Sequence, residues 1–450
     1  MRVVIIGAGE VGFDVARTLS LEQHDVVVVD TNPTILEQVA QRLDVLTVSG
    51  SGTSIHTLEA AGIREADMLI AVTAIDEVNL IACMIADRLG VETTVARVRS
   101  DVLGRAESVL QAGELGIDLL IHPEESTAAE IVRLIRRAGA TDVLNFCDGR
   151  LQLVGMRLDP EAPVLGRSLR ELAAELAPVR FRVMAIGRGF RTILPHGNER
   201  LQRNDQIFVL ARPDEIPVIA RTLGKREAPI QRIMILGGTK VGAHVARQFG
   251  GEKGRQIKLI EPDREQAEKL AGELEHVLVL HGDVTDIDLL VAEGLREMDA
   301  FVAVTDDEES NLVTCLMAKH LGVRKTVALL SKTAYVPISQ TIGLDAAVSQ
   351  KLAVSREILR FLRGRHVLSV ATVYGLNAEI LEIEAKPWAP IIRKPLKALK
   401  LPRGVLIGAL LRNGQVEIAT GETQIQAGDR AIVFVVPDQL AEVERLFDNR

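Results

Sequence analysis

The apolar positions of this chain come as short unbroken runs, alternating with stretches in which they recur every three or four residues. Val3 to Ile6 is the first run, which predicts a strand over 2–6. Val11, Val15, Ala16 and Leu19 follow at helical spacing, and 25–29 reads as a second strand that ends in Asp30. The pattern continues with a helix from Pro33 to about 43, a strand over 45–48, the small-residue turn Gly50-Ser51-Gly52-Thr53, a short helix to Ala61 and a strand over 68–72. Next come a helix over 77–89 with Asp76 as its N-cap, a strand over 93–98, a helix near 101–115, a strand over 119–121 and an amphipathic helix over 123–137. Strands that alternate with helices at this spacing predict a doubly wound parallel sheet.

The pattern then changes. Residues 143–158 and 181–210 read as strands with turns at Asp148-Gly149 and Arg188-Gly189, separated by a helix near 168–176 and closed by one near 214–223. That is a small α+β domain, and 224–229 reads as a linker.

At Gln231 the whole programme restarts. Arg232 to Leu236 precedes Gly237-Gly238-Thr239-Lys240-Val241-Gly242, and Glu261 ends the next strand where Asp30 ended the first. Further on, a constant offset of 232 pairs Thr53 with Thr285, Gly62 with Gly294, Asp67 with Asp299, Thr73 with Thr305, Asn79 with Asn311, Cys83 with Cys315 and Gly90 with Gly322. The small domain recurs from about Arg365, with Gly428-Asp429 answering Asn204-Asp205. The fold expected is therefore α/β, with tandem Rossmann-like parallel sheets each followed by a small α+β domain: 1–122, 140–225, 231–348 and 365–450.

Composition narrows the function. At 450 residues the chain exceeds what one core usually supports, and 47% hydrophobic with 25% charged residues is the balance of a globular protein. A net charge of −8 disfavours non-specific binding to nucleic acid or anionic membrane. The three cysteines form no ligand spacing, so no metal site and a reducing, cytoplasmic compartment are expected; Cys83 and Cys315 read as core residues. No signal peptide is read before the first strand and no apolar run is long enough to span a bilayer, so any membrane role is expected to act through a partner.

The candidate chemistry lies in Gly7-Ala8-Gly9-Glu10-Val11-Gly12. Between a strand and a helix, and followed by an acid at the end of the next strand, this is the dinucleotide-binding pattern: Gly7 permits the turn, Gly9 lets backbone approach a pyrophosphate, and Gly12 lets helix pack on strand. The N–H groups of Glu10 and Val11 are expected to face phosphate at the helix N-terminus, and Asp30 to accept from the ribose hydroxyls. A carboxylate there repels a 2′-phosphate, but NAD(H), ATP and ADP are left unranked. Ser51 is expected near the adenine edge, Thr73 and Ala74 across the crevice, and Arg97-Val98, with Arg99, at the end of the next strand. Arg97 reads either as a phosphate donor or as a solvated strand-end charge.

In the second copy the candidates are Gly237, Gly238, Thr239, Lys240, Val241, Glu261, Asp283 and Thr305. Thr239 stands where Gly9 stands, while Leu329 and Ser331 replace Arg97 and Arg99. Two readings stay open: a second nucleotide site in which the Thr239 hydroxyl or Lys240 binds phosphate directly, or a retained structural copy. No catalytic residue is assigned, because Tyr335 and Tyr374 lack a Lys four residues on, and HExxH, GxSxG and a complete Walker loop are missing.

The IIGAGEVG segment with Asp30, the stretch LEAAGIREADMLIAVTAIDEVNL, its copy VAEGLREMDAFVAVTDDEESNL and the duplicated small domains resemble the TrkA family, the regulatory subunits of Trk-type potassium-uptake systems. The resemblance implies tandem RCK domains in the order RCK-N, RCK-C, RCK-N, RCK-C. It further implies a non-enzymatic, cytoplasmic homotetramer, peripheral on the inner face of the membrane beneath a TrkH/TrkG-like potassium-translocating subunit, with NAD(H) and ATP or ADP as ligands. Ser51 departs from the Asp often found there in the family, although Asp283 keeps it in the second copy. An NAD-dependent oxidoreductase with duplicated Rossmann domains is the competing reading.

Overall fold

The computed structural model describes residues 1–21, 24–100, 112–137, 139–189, 191–225, 229–332, 335, 339, 342–362, 367–372 and 378–448. The first sheet is built from β1 (Arg2–Ile6), β2 (Asp25–Asp30), β3 (Leu46–Ser49), β4 (Met68–Ala71), β5 (Thr93–Arg97) and β6 (Leu119–Ile121). Its helices are α1 (Glu10–Leu21), α2 (Pro33–Arg42), α3 (Ile55–Ala60), α4 (Asp76–Arg88) and α5 (Pro123–Arg136). All six strands run parallel in the order β3-β2-β1-β4-β5-β6. Ile6 lies between Val29 and Ala71, so the order reverses between β1 and β4, the place where an open α/β sheet has its crevice. Residues 3–6 and 26–29 are buried because helices cover both faces, which is why these strands are apolar without alternation.

The antiparallel sheet that follows uses β7 (Asp142–Phe146), β8 (Leu151–Arg157), β9 (Phe181–Arg188), β10 (Arg191–Ile193) and β11 (Gln206–Ala211), with α6 (Leu169–Glu175) and α7 (Ile216–Thr222). Ser168 caps α6 in a reciprocal box with Glu171. The second parallel sheet repeats the first: β12 (Arg232–Leu236), β13 (Gln256–Glu261), β14 (Val277–His281), β15 (Ala300–Ala303), β16 (Lys325–Leu329) and β17 (Ala346–Val348), in the order β14-β13-β12-β15-β16-β17. Its helices are α8 (Lys240–Gly250), α9 (Arg264–Glu273), α10 (Ile287–Ala292), α11 (Glu308–His320) and α12 (Gln350–Leu362). The last sheet, β18 (Val367–Thr372), β19 (Glu379–Glu384), β20 (Val405–Arg412), β21 (Gln415–Ile418) and β22 (Arg430–Val435), has the strand order of the first small sheet, and α13 (Leu440–Phe447) closes it.

The chain forms two compact units, Met1–Thr127 with Gln350–Leu362, and Ala128–Ser349 with Arg363–Arg450. In the first unit, Val354, Ile358 and Leu359 of α12 join the core formed by Val3, Ile5, Val15 and Leu19. In the second, Ala128, Ile131, Val132 and Ile135 of α5 join the core of the second parallel sheet with Ile233, Val245 and Phe249. Each of these helices therefore packs on the parallel sheet it does not follow. The two small sheets also share a core, in which Phe146, Leu153, Phe208 and Leu210 meet Ile380, Ile432 and Phe434. At its edge the buried Glu382 accepts from the N–H of Cys147 at 2.9 Å and pairs with Arg430, which reaches Asp148 at 3.0 Å.

Two local expectations change. Asp76 is the first residue of α4 and does not cap it. Its carboxylate accepts instead from the backbone N–H groups of Arg99 and Ser100, at 2.8 to 3.0 Å, and so ties α4 to the loop after β5. Of the helix expected near 101–115, residues 101–111 lie outside the described residues, and Ala112–Leu115 form a short 3-10 turn. Part of the expected linker, 226–228, also lies outside them, as does Tyr374.

Candidate functional site

The first glycine loop is built from local constraints. Gly7 has φ +105°, a conformation that L side chains rarely adopt, and its N–H donates to the Val29 carbonyl at 2.8 Å. A Cβ on Gly12 would overlap the carbonyl oxygen of Gly7, so only glycine lets α1 begin this close to β1. A Cβ on Gly9 would meet nothing within 4 Å: it points into open space. The loop is held by Asp30, whose two carboxylate oxygens accept from Ala8 N–H at 2.7 Å and Asn32 N–H at 2.9 Å.

Across the crevice, a fully buried asparagine sets the geometry. Asn79 accepts from the N–H and hydroxyl of Thr73 at 2.9 and 2.7 Å, and donates to the carbonyls of Thr73 and Arg97 at 3.0 and 2.8 Å. All four of its hydrogen-bonding capacities are used, which fixes the ends of β4 and β5 together. Arg97 donates through Nη1 to the Thr73 carbonyl at 3.4 Å, while its buried Nε has no hydrogen-bond partner. Burial, followed by the neighbouring Arg99, pushes the Arg97 guanidinium below its ordinary pKa. Arg99 itself turns to Glu124 at 3.2 Å.

These groups enclose a cavity of about 500 Å³, within the range of small-ligand sites. Of the residues singled out from sequence, Gly7, Gly9, Glu10, Val11, Asp30, Ser51, Thr73, Ala74 and Arg97 line it. Ala8, Gly12 and Val98 stand behind the lining: Ala8 bonds Asp30, Gly12 packs on Gly7, and Val98 is buried in the core. Three lining residues from outside the first copy were missed. Gln350, Lys351 and Val354 come from α12, and Lys351 is ion-paired with Glu10 across 341 residues of sequence. No local pattern could have announced that pairing. Asn79 was visible as a position kept in register with Asn311, but its role needed the carbonyl positions.

The second copy preserves the frame and changes the lining. Gly237 has φ +96°, a Cβ on Gly242 would overlap the carbonyl of Gly237, and Glu261 accepts from Gly238 N–H at 2.6 Å and Asp263 N–H at 2.9 Å. Asn311 repeats all four bonds of Asn79, now to Thr305 and Leu329. The hydroxyl of Thr239, however, donates to the Val304 carbonyl at 2.8 Å and caps α8 by accepting from Gly242 N–H at 3.3 Å. Its one proton is engaged within the loop, which takes the hydroxyl away from the phosphate-donor role considered for it, and Lys240 is the first residue of α8. Val241 is buried in the core, and the exposed Asp283 accepts from the N–H and hydroxyl of Thr285, which hold its pKa below the ordinary value.

The three cysteines are buried thiols, and burial pushes the pKa of each up, that of Cys147 to about 12, which disfavours the reactive thiolate. Among the described residues no His, Cys, Asp and Glu cluster could hold a metal ion, and no helix is long and apolar enough to cross a membrane.

Comparison with known proteins agrees with this architecture. The TrkA-N domain model matches residues 3–123 and 233–350, and the TrkA-C domain model matches 153–224 and 380–448. The Trk system potassium uptake protein TrkA homolog 1 of Methanosarcina mazei is 34% identical, over 99% of this chain and 100% of its own. The Trk system potassium uptake protein TrkA of Vibrio alginolyticus is also 34% identical, over 99% and 98%. Among solved structures, the GsuK RCK domain is 19% identical with a TM-score of 0.58, covering 100% of this chain and 95% of that one. The GsuK channel bound to NAD is 19% identical with a TM-score of 0.59, covering 100% and 79%. At that identity the two structures support the RCK-type fold alone. With both domain models matched twice and relatives alike over nearly its whole length, the chain belongs to the TrkA family of Trk potassium-uptake proteins.

Proposed function

We propose that the first crevice binds an adenine nucleotide, NAD(H) or ATP and ADP, as the regulatory input of a potassium-uptake system. The observation that carries this is convergence on one cavity: open backbone at Gly9, the Arg97 guanidinium with an unpartnered buried Nε, and the Asp30 carboxylate beside the loop. The loop and helix N-terminus supply phosphate donors, and Asp30 retains lone pairs for ribose hydroxyls. In this reading Gly7, Gly9, Glu10, Val11, Asp30, Ser51, Thr73, Ala74 and Arg97 contact ligand, and Ala8, Gly12 and Val98 hold them in place. The chain is read as four domains, 1–122, 140–225, 231–348 and 365–450, that assemble as a cytoplasmic homotetramer on the inner face of the membrane through a TrkH/TrkG-like potassium-translocating subunit. The potassium-uptake names of the relatives support the link to potassium uptake.

Binding without turnover fits the lining. Glu10 is paired with Lys351 and Asp30 accepts from two backbone N–H groups, so these charged groups are read as serving ligand binding and loop shape. Nucleotide acts on such a protein only through its difference in affinity between conformations. The test is calorimetric titration with NADH, NAD, ATP and ADP. In Asp30→Ala binding is expected to weaken by about 1.5 to 3 kcal/mol, the scale of hydrogen bonds to a charged acceptor. The nucleotides are expected to be recovered intact, and potassium flux in liposomes carrying the membrane partner to depend on which is present. Unchanged affinity in Asp30→Ala refutes the site, hydride transfer to an added carbonyl compound favours the oxidoreductase reading, and flux indifferent to nucleotide refutes the regulatory role.

A further inference from the structure

Lys351 is the second residue of α12, and the stretch immediately before it, Ala346–Val348, is the last strand of the second parallel sheet. Its side chain, 28% exposed, lines the cavity of the first site and pairs there with Glu10, the residue whose backbone opens α1 above the glycine loop. Gln350 and Val354 of α12 also line the cavity, as does Arg97. The 13 residues of α12 place a second helix N-terminus, with its partial positive charge, beside the cavity that α1 already borders. Ser126 of α5 donates to Glu357 at 2.5 Å and the α12 core residues pack under α1, so Lys351 is carried on an anchored helix.

We propose that Lys351 is a ligand-contacting residue that makes the first site selective for adenine nucleotides with two or more phosphates, exchanging its Glu10 partner for a phosphate oxygen when such a ligand enters. This inference rests on the nucleotide reading of the site. A single carboxylate competes poorly for an ammonium against a polyphosphate of higher charge and more acceptor oxygens, so the exchange favours ligand. Adenosine has nothing to offer Lys351, and its binding depends on Asp30 and the adenine-side residues alone. The selectivity of a site formed by the first sequence copy is thus set by a residue that follows the second.

The experiment compares adenosine, AMP, ADP, ATP and NADH binding to the full-length wild-type, Lys351→Met, Lys351→Arg and Glu10→Gln proteins by calorimetry. In Lys351→Met, affinity for ATP, ADP and NADH is expected to fall at least about tenfold with adenosine unchanged, and in Lys351→Arg to stay within a few-fold of wild type. Glu10→Gln removes the competing carboxylate, so it is expected to strengthen ATP binding more in the wild-type background than in Lys351→Met, where only the direct repulsion of phosphate is relieved, a non-additivity that a merely structural role does not produce. Equal loss for adenosine and ATP, or no loss for either, overturns the proposal while leaving nucleotide binding intact. A wild-type protein that binds none of the five ligands overturns both this inference and the reading it rests on.

Discussion

The two glycine loops share the bonds made by their strand-end acids and their buried asparagines and differ in several of the residues around them. Asp30 and Glu261 each hold two backbone N–H groups, Asn79 and Asn311 each make the same four bonds, and Asp76 and Glu308 each accept from two N–H groups in the loop after the fifth strand. Against that constant frame, Gly9 gives way to a capping Thr239, Arg97 to Leu329 and Ser51 to Asp283. Bonds that close the loop stabilise the sheet whether or not a ligand is present.

The comparison can be broken most sharply at Gly9. Because a Cβ there points into open space, Gly9→Val is expected to leave the unfolding midpoint unchanged while lowering nucleotide affinity at the first site at least about 100-fold through overlap with ligand. A fall in stability together with affinity instead makes Gly9 a packing residue.

Next in size are the paired asparagines. Asn79→Ala and Asn311→Ala each remove the partner of a part-buried N–H and of two carbonyls, and each is expected to cost about 2 to 3 kcal/mol in denaturant unfolding. Only Asn79→Ala is expected to weaken nucleotide binding. Equal loss of binding stoichiometry in the two variants makes the second copy a working site.

A difference in charge sharpens the contrast further. Lys325 stands where the first copy has Thr93; it is fully buried and donates to the Ala140 carbonyl. Burial lowers its pKa from 10.5 to about 8, partly offset by Asp345. Below pH 8 the residue is charged folded and unfolded, and folding bears the whole cost of burying the charge. Between pH 8 and 10.5 the unfolded chain holds the proton and the folded chain does not, so stability relative to Lys325→Thr is expected to rise across that window by up to about 3 kcal/mol. Parallel stability curves for the two proteins over this range rule the burial effect out.

The smallest effect concerns Thr239. Removing its cap in Thr239→Ala is expected to destabilise α8 by about 1 kcal/mol, whereas Gly9, which carries no cap, has no counterpart to lose. No change in unfolding assigns the hydroxyl to something other than capping.

By itself the sequence determined both parallel sheets, their order of elements, the duplication, and nine residues that line the first cavity. Those are local facts: apolar periodicity selects helix or strand, and a glycine at φ +105° is needed wherever the chain turns as it does at Gly7. What only the tertiary structure decided was the partner of each piece. The helices α5 and α12 both carry an apolar stripe, and nothing in either stripe says which sheet it covers. Their exchange between the two copies brings Lys351 to Glu10 and takes Ile131 and Ile135 to the core around Phe249. Asp76 was misassigned for the same reason: an acid at the start of a helix can cap it or reach across space, and the choice depends on where the loop after β5 lies. Contacts between distant residues follow from which buried surfaces fit once the chain has folded back on itself, and that information is distributed over whole faces of helices and sheets, where no single motif can hold it.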